Sequence, residues 1–541
     1  MAICIFDTLT REMSPLEPLT PGQVKLYVCG PTVYDDCHIG HLMGPVLFDA
    51  VARWIRARGY QVEFVNNITD IDDKIINRSI ESGEPWDSIA QRYTDQYLKF
   101  LQELNIETIT SHPRCSEYVP QMVAFIEDLI REDKAYLAND GVYFDIQKHE
   151  GYGKLTRRKL EDMQAGARVQ TQSSLRHPAD FALWKNAKPE EPSWESPFGP
   201  GRPGWHIECS VMSSELLGQA FDLHGGGDDL KFPHHENEIA QSEAHGDAFA
   251  NTWMHTGLVQ YGGQKVGKSD PRMQDPAFRQ QFQARWLLDT YGAPAIRFFL
   301  LRSAYRRPVE IEPSTLEAAR TGLMRMVKSL GELAEDKEQV TLDQIQERAL
   351  SDANAAHREN FVAAMDNDFS SGEAMAVLFS LAQEARTQSA SEKENSLTLV
   401  RDLGRLLGLF QPGDLELLLA AGKGSQTELL EQVAAALLEV RALAREQKSF
   451  DTADALRDAL LQAGISVEDE AGQKNSSANC HAAQSDALDQ ILEAALAARL
   501  AARAAKDFTT ADGLRDALAG IGINIMDSAD GSSWMHSPGG A

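Results

Sequence analysis

The apolar pattern near the N-terminus changes period twice. Val24-Lys25-Leu26-Tyr27-Val28-Cys29 reads as a strand, and Val46, Leu47, Val51, Trp54 and Ile55 then recur at helical spacing until Gly59. Val62, Phe64 and Val65 resume a strand, so the segment predicts a β-α-β unit. Thr69 or Asp70 is placed to cap a further helix running toward Gly83. From about Pro113 to Pro203 the pattern is mixed and reads as an insertion, closing in a Pro/Gly/Trp-rich stretch from Pro189 to Gly204. A second α/β portion opens near Trp205.

Beyond Pro313 the period is helical. Ser314-Thr315-Leu316-Glu317 has the layout of a capping box, and Leu316, Leu323, Val327 and Leu330 share a face, which predicts a helical bundle to about Ala420. Lys423-Gly424-Ser425 reads as a linker. The tail then repeats itself: Arg445, Lys448, Phe450, Ala453, Asp454, Leu456, Arg457, Asp458, Gly464 and Ile465 recur, each 58 positions on, as Arg503, Lys506, Phe508, Ala511, Asp512, Leu514, Arg515, Asp516, Gly522 and Ile523. Two copies of a small helical module follow, joined by the polar stretch from Ala471 to Asp486.

Composition narrows the setting. At 541 residues with 43% hydrophobic content the chain is long enough for several cores. Six scattered cysteines lack a disulfide-framework spacing, no apolar run approaches the roughly 20 residues of a membrane span, and the N-terminus lacks a signal-peptide layout. The expectation is a reducing, cytoplasmic protein. The net charge of -28 argues against nucleic acid, although local strips at Arg157-Arg158-Lys159, Arg302 and Arg306-Arg307 are candidates for RNA contact or simply solvated faces.

Two constellations carry chemistry. Pro31-Thr32-Val33-Tyr34-Asp35-Asp36-Cys37-His38-Ile39-Gly40-His41 lies at a strand-turn-helix junction, where unpaired first-turn amides and the positive end of the helix dipole suit a phosphate. The other is Pro233-His234-His235-Glu236-Asn237-Glu238: His234 and Glu238 lie four apart on one helix face and can share a metal ion, with Cys29 and Cys209 as available thiolates. On spacing alone His235 serves as well as His234, and Cys29 reads equally as a small buried hydrophobe.

His38-Ile39-Gly40-His41 resembles the HIGH signature of class I aminoacyl-tRNA synthetases. Tyr27–Asp35, Asn67–Ile75, Gly201–Ser210 and Phe232–Ser242, in that order, are similar to blocks of the cysteinyl-tRNA synthetase family, and the chain is identified as a member of that family. The resemblance implies Cys29, Cys209, His234 and Glu238 as ligands of one zinc ion that selects the substrate thiolate. It implies ATP, with magnesium, along the first turn against His38, Gly40 and His41, with the two histidines stabilising charge at the α-phosphate. Thr32, Trp205 and Asp229 are the implied substrate-binding residues, the last in the strand-to-turn run Gly225-Gly226-Gly227-Asp228-Asp229. Lys265-Val266-Gly267-Lys268-Ser269 stands where the family has KMSKS, so Lys265 and Lys268 are the implied activation lysines; Gly267 replaces a serine, Asp270-Pro271-Arg272-Met273 departs from Leu-Gly-Asn, and extra residues run to about Leu287. Gly531-Ser532-Ser533-Trp534 resembles the family's closing segment, which makes Trp534 of the second copy a candidate tRNA contact and the first copy a spacer or extra contact.

The expected architecture is therefore an α/β Rossmann-like class I catalytic domain in two halves (1–112 and 204–313) around a connective insertion (113–203). An all-α bundle (314–422) and an anticodon-binding region with the duplicated module (423–541) complete it. Expected partners are cysteine, ATP and tRNA-Cys, and the family default is a monomer. Two other readings stand beside it: a cysteine ligase of the mycothiol pathway, which lacks so long a tail, and a non-catalytic RNA-binding relative, suggested by the altered lysine loop.

Overall fold

The computed structural model describes residues 2–158, 175–189, 191–266, 270–331, 333, 341–421, 423–469, 476–479, 487–521, 523–528 and 531–536. They fall into two compact units, Met1–Gly267 with Gln283–Leu418, and Lys268–Phe282 with Leu419–Ala541.

The first unit is built on strands β1 (Gln23–Val28), β2 (Gln61–Asn66), β3 (Ala220–Gly227) and β4 (Phe249–Thr256). With them go helices α1 (Ile39–Ala57), α2 (Asp73–Ser82), α3 (Trp205–Leu217) and α4 (Glu236–His245). The sheet is parallel with order β4-β3-β1-β2. Chain leaves β1 through α1 to one side and β3 through α4 to the other, so the two central strands diverge and open a crevice at their carboxyl ends. The apolar periodicity is what fixes α1 there: Leu42, Val46, Leu47, Trp54 and Ile55 are all buried.

The cap of α2 differs from the sequence expectation. Asp72, not Thr69 or Asp70, is the N-cap and accepts from the Lys74 amide at 2.8 Å. Ile68 is bridged to Arg114 and held extended, with its amide on the Pro113 carbonyl, which delays the helix. Asp70 instead accepts from the amide and hydroxyl of Ser116.

The insertion contributes a helix, Val119–Arg131, and an antiparallel sheet of Ala135–Ala138, Gly141–Phe144, Phe181–Asn186 and Gly201–Pro203. Its Phe144, Leu183 and Trp184 share one core with Tyr27, Ile207, Phe221 and Trp253. The bundle follows, beginning with Pro313–Leu330. Its capping residue is Glu312, whose amide donates to Thr315 Oγ1 at 3.1 Å; Pro313, preset for a first helical position, moves the start ahead of the expected Ser314.

In the second unit, residues 423–425 are not a linker but the start of helix Lys423–Glu446. Each tail copy is a helix pair plus a hairpin: Lys423–Glu446, Phe450–Gln462 and Ser466–Asp469 with Ser476–Asn479, then Ala487–Ala504, Phe508–Gly520 and Ile523–Ser528 with Gly531–His536. Neither hairpin is anticipated by the sequence reading, which has helical modules alone. Among the described residues no helix is long and apolar enough to cross a membrane.

Candidate active site

The crevice between β1 and β3 gathers both chemical constellations. Cys29 follows β1 directly, and its amide donates to the Gly225 carbonyl of β3 at 3.1 Å. Gly30 turns the chain so closely past Asn67 that a Cβ there would lie 1.6 Å from the Asn67 carbonyl oxygen; its amide is held by Asn67 Oδ1 at 2.8 Å.

His38 is the N-cap of α1. Its Nδ1 accepts from the Gly40 amide at 3.1 Å, and His41 Nδ1 accepts from the His38 amide at 3.3 Å. The rings stack with centroids 3.8 Å apart. Because both Nδ1 atoms are acceptors, both imidazoles carry their proton on Nε2, as neutral N–H donors. Burial lowers the pKa of each: Asp35 and Asp229 partly oppose it at His38, while His38 and Lys74 push the same way at His41. Gly40 matters through His38, since a Cβ would press to 2.9 Å on the His38 ring.

The metal-type cluster lies deeper. Cys29 Sγ is 3.6 Å from Cys209 Sγ and 3.5 Å from Glu238 Oε1, and His234 Nε2 is 3.0 Å from the same oxygen. All four donor atoms lie within 4.8 Å of one another. Tetrahedral zinc with bonds of about 2.0–2.3 Å has edges of roughly 3.3–3.8 Å, so this set fits one ion. Burial raises the thiol pKa of Cys29 and Cys209 and lowers that of His234, a penalty that a bound cation reverses.

A second set, Cys29 with His224, His235 and Glu238, meets the same distance limit. It has one thiol, and its His224 Nε2 already holds Glu238 Oε2 at 2.7 Å, while His235 pairs with His255 through Nδ1 at 2.8 Å and keeps Nε2 toward the cluster. His234 stands 3.0 Å from Glu238 Oε1 and His235 4.0 Å, so the choice that spacing left open is weighted toward His234. Sequence reasoning missed His224 and also His206, whose Nδ1 lies 3.0 Å from His234 Nδ1 and whose pKa burial lowers to about 3. Only their closeness to Pro-His-His-Glu in space, invisible in the chain, marks them.

Trp205 is half-buried with its ring stacked 4.1 Å from His234. It also lines an adjoining cavity of about 240 Å³ with Asp73, Lys185, Arg202 and His206. Thr32 is bridged to Thr69 at the mouth. Asp229 follows β3, and Lys265, on the short strand Gln264–Lys265, reaches to 3.6 Å from its carboxylate. Gly267, Lys268 and Ser269 lie outside the described residues, as does the side chain of Trp534.

Comparison with known proteins finds relatives over most of the chain. The family model for the tRNA synthetases class I (C) catalytic domain matches residues 15–321, that of the DALR domain residues 360–411, and that of the cysteinyl-tRNA ligase anticodon binding domain residues 427–475 and again 485–534. A cysteine–tRNA ligase of Nitrosomonas eutropha is 43% identical over 468 residues, covering 86% of this chain and 97% of the relative. One from Burkholderia mallei is 44% identical over 474 residues, with the same coverage. Among solved structures, Mycobacterium tuberculosis methionyl-tRNA synthetase in complex with methionyl-adenylate aligns with a TM-score of 0.52 at 14% identity, over 76% of this chain and 94% of that one. The ternary complex of Agrobacterium radiobacter K84 agnB2 LeuRS aligns at 0.51 and 13% identity, over 75% and 87%. At these identities the structural likeness speaks for the class I fold.

Proposed function

The chain belongs to the cysteine–tRNA ligase family, and we propose from that premise how its site divides the work. It is a ligase that attaches cysteine to tRNA. Cys29, Cys209, His234 and Glu238 hold zinc, a reading carried by one observation: a half-buried and a buried thiol, a carboxylate oxygen and an imidazole nitrogen converge within 4.8 Å of one another. Zinc bound there supplies a Lewis-acid position that favours a thiolate over a hydroxyl, a discrimination shape alone gives only modestly. His224 fixes the Glu238 carboxylate through Oε2 and leaves Oε1 for the cluster, and Trp205 covers His234 and walls the substrate side.

ATP enters as its magnesium complex along the first turn of α1. The Nε2–H groups of His38 and His41 donate to phosphate oxygens as the cysteine carboxylate attacks the α-phosphate, and the new acyl–phosphate bond forms as pyrophosphate departs. The capping hydrogen bonds preset both donors, so no reorganisation is needed at that moment. Lys265, paired with Asp229 across the mouth, and Lys268 take the charge of the leaving pyrophosphate. The adenylate then passes its acyl group to the 3' end of tRNA-Cys, with Trp534 as a contact to the anticodon loop. The match of the tail to an anticodon-binding model favours this acceptor over an amino sugar.

The test is cysteine-dependent ATP–pyrophosphate exchange and tRNA-Cys charging by purified protein of measured zinc content. Zinc-loaded protein is expected to do both and to reject serine. Unchanged cysteine affinity in verified zinc-free protein would overturn the metal reading, and exchange without charging would overturn the acceptor.

A further inference from the structure

Strand β1 brings more to the cluster than Cys29. Side chains two apart on a strand share a face, so Lys25, Tyr27 and Cys29 all look toward α3, the helix that carries Cys209. Lys25 shows the direction, with Nζ on the Leu217 carbonyl at the end of α3 at 2.6 Å, and Cys29 Sγ reaches Cys209 Sγ further along. Tyr27 stands between them, 0% exposed, in one core with Cys209, Met212 and Phe221. Its hydroxyl lies against the Cys209 sulfur, on the donor side of that contact. The contact falls short of hydrogen-bond geometry, and among the described residues the hydroxyl has no other partner.

Phenylalanine would fill the same seat without a polar atom, and a buried hydroxyl without an acceptor carries the full cost of leaving water. A thiol is a weak acceptor, whereas an ionised acceptor makes the strong hydrogen bonds. The position therefore suits a state in which Cys209 is a metal-bound thiolate. The cross-strand neighbour does the same for a different ligand: Tyr27 pairs in register with His224 of β3, their rings 5.4 Å apart, and His224 Nε2 holds Glu238 Oε2 at 2.7 Å. One dication among two thiolates and a carboxylate leaves excess negative charge in a largely buried place, and a substrate thiolate adds to it. Donors to the ligands offset that excess.

We propose that Tyr27 is a positioning residue of the metal centre. Its hydroxyl donates to the Cys209 thiolate when zinc is bound, which holds the sulfur toward the ion and spreads the charge that the site must bury as the substrate sulfur arrives. Tyr27 acts through Cys209 and not on the substrate. The inference rests on the zinc reading above and gives Cys209 an outer partner to match the one that His224 gives Glu238.

Full-length protein and its Tyr27→Phe variant, which keeps the ring and removes the hydroxyl, are stripped of metal and titrated with zinc against a chromophoric chelator. Cobalt is then loaded in place of zinc to read the sulfur-to-metal charge-transfer band. Zinc affinity is expected to fall by about 10-fold or more in the variant, the effect of losing an outer partner of a metal ligand. The cobalt band should move to longer wavelength, because a sulfur without its donor gives up an electron more easily. The thermal transition of the metal-free variant should hold or rise, since the hydroxyl it loses has no partner there. Wild-type affinity with an unmoved band in Tyr27→Phe would overturn the inference and leave the zinc reading intact. A weaker affinity matched by a lower metal-free transition would also overturn it, as a defect of packing. Wild-type protein that binds no zinc would overturn both.

Discussion

The crevice and the tail unit bury their key residues by opposite means. In the crevice, Cys29 meets Cys209 across 180 positions and Glu238 across 209, and each donor is present once, all of them buried but for the half-buried Cys29. In the tail, one core is filled by apolar residues that occur twice at a fixed interval, as with Leu456 and Leu514. Unique polar atoms held by a rigid sheet can be lost without loss of the fold, and function goes with them. Repeated apolar positions do the reverse: either copy is structurally necessary, and neither alone carries chemistry.

The sharpest break of that contrast is Glu238→Gln, which keeps the side-chain volume and removes the charge. Cysteine-dependent exchange is expected to fall by more than the roughly 100-fold that loss of an outer partner of a metal already costs. Zinc content should fall while the thermal transition of the metal-free protein barely moves; retained zinc with full exchange would refute the assignment. Next comes His41→Ala. Loss of one preorganised donor is expected to lower the exchange kcat by about 100-fold. The cysteine KM should be little affected, because the metal-type cluster is untouched, and a change confined to cysteine KM would contradict the division of labour.

On the tail side, Leu456→Ala and Leu514→Ala should be equivalent. Both side chains are fully buried, so each change should destabilise the unit by about 2–5 kcal/mol. Hydrogen exchange of the tail amides should rise to a similar degree in both, with ATP–pyrophosphate exchange unaltered. Sensitivity in one copy only would mean that the two do not share a core.

The same contrast explains what the sequence discloses. The β-α-β unit, the bundle helices and the duplication follow from local periodicity and a repeat interval, and each of these elements is present in the structure. The convergence of Cys29 with Cys209 is set by α3 packing against β1 and β3, which no local pattern encodes; only family resemblance joined those residues. His224 and His206 stayed unread because a lone histidine at a strand end or helix start looks the same whether or not it faces Glu238 or His234. The start of Lys423–Glu446 was misread because Lys-Gly-Ser has loop composition, and tertiary burial of Leu430, Val433 and Leu437 further along outweighs the poor helix propensity of one glycine.

Asp72 tests the contrast at its finest grain, for it stands in the wall of the cavity beside Trp205 yet makes a purely local bond. Its carboxylate satisfies the Lys74 amide at the start of α2, a contact worth about 1 kcal/mol when an N-cap is replaced by alanine. Asp73, the next residue, is the one tied to the insertion, through Lys185 at 2.6 Å and through Arg202. If location decides function, Asp72→Ala should damage cysteine activation. If the bond decides it, the variant should lose about 1 kcal/mol in urea unfolding, as expected for a cap, and keep the exchange rate. Loss of that size with exchange intact is the expected result, and it would place Asp72 with the tail leucines as a residue of the fold, despite its address in the site.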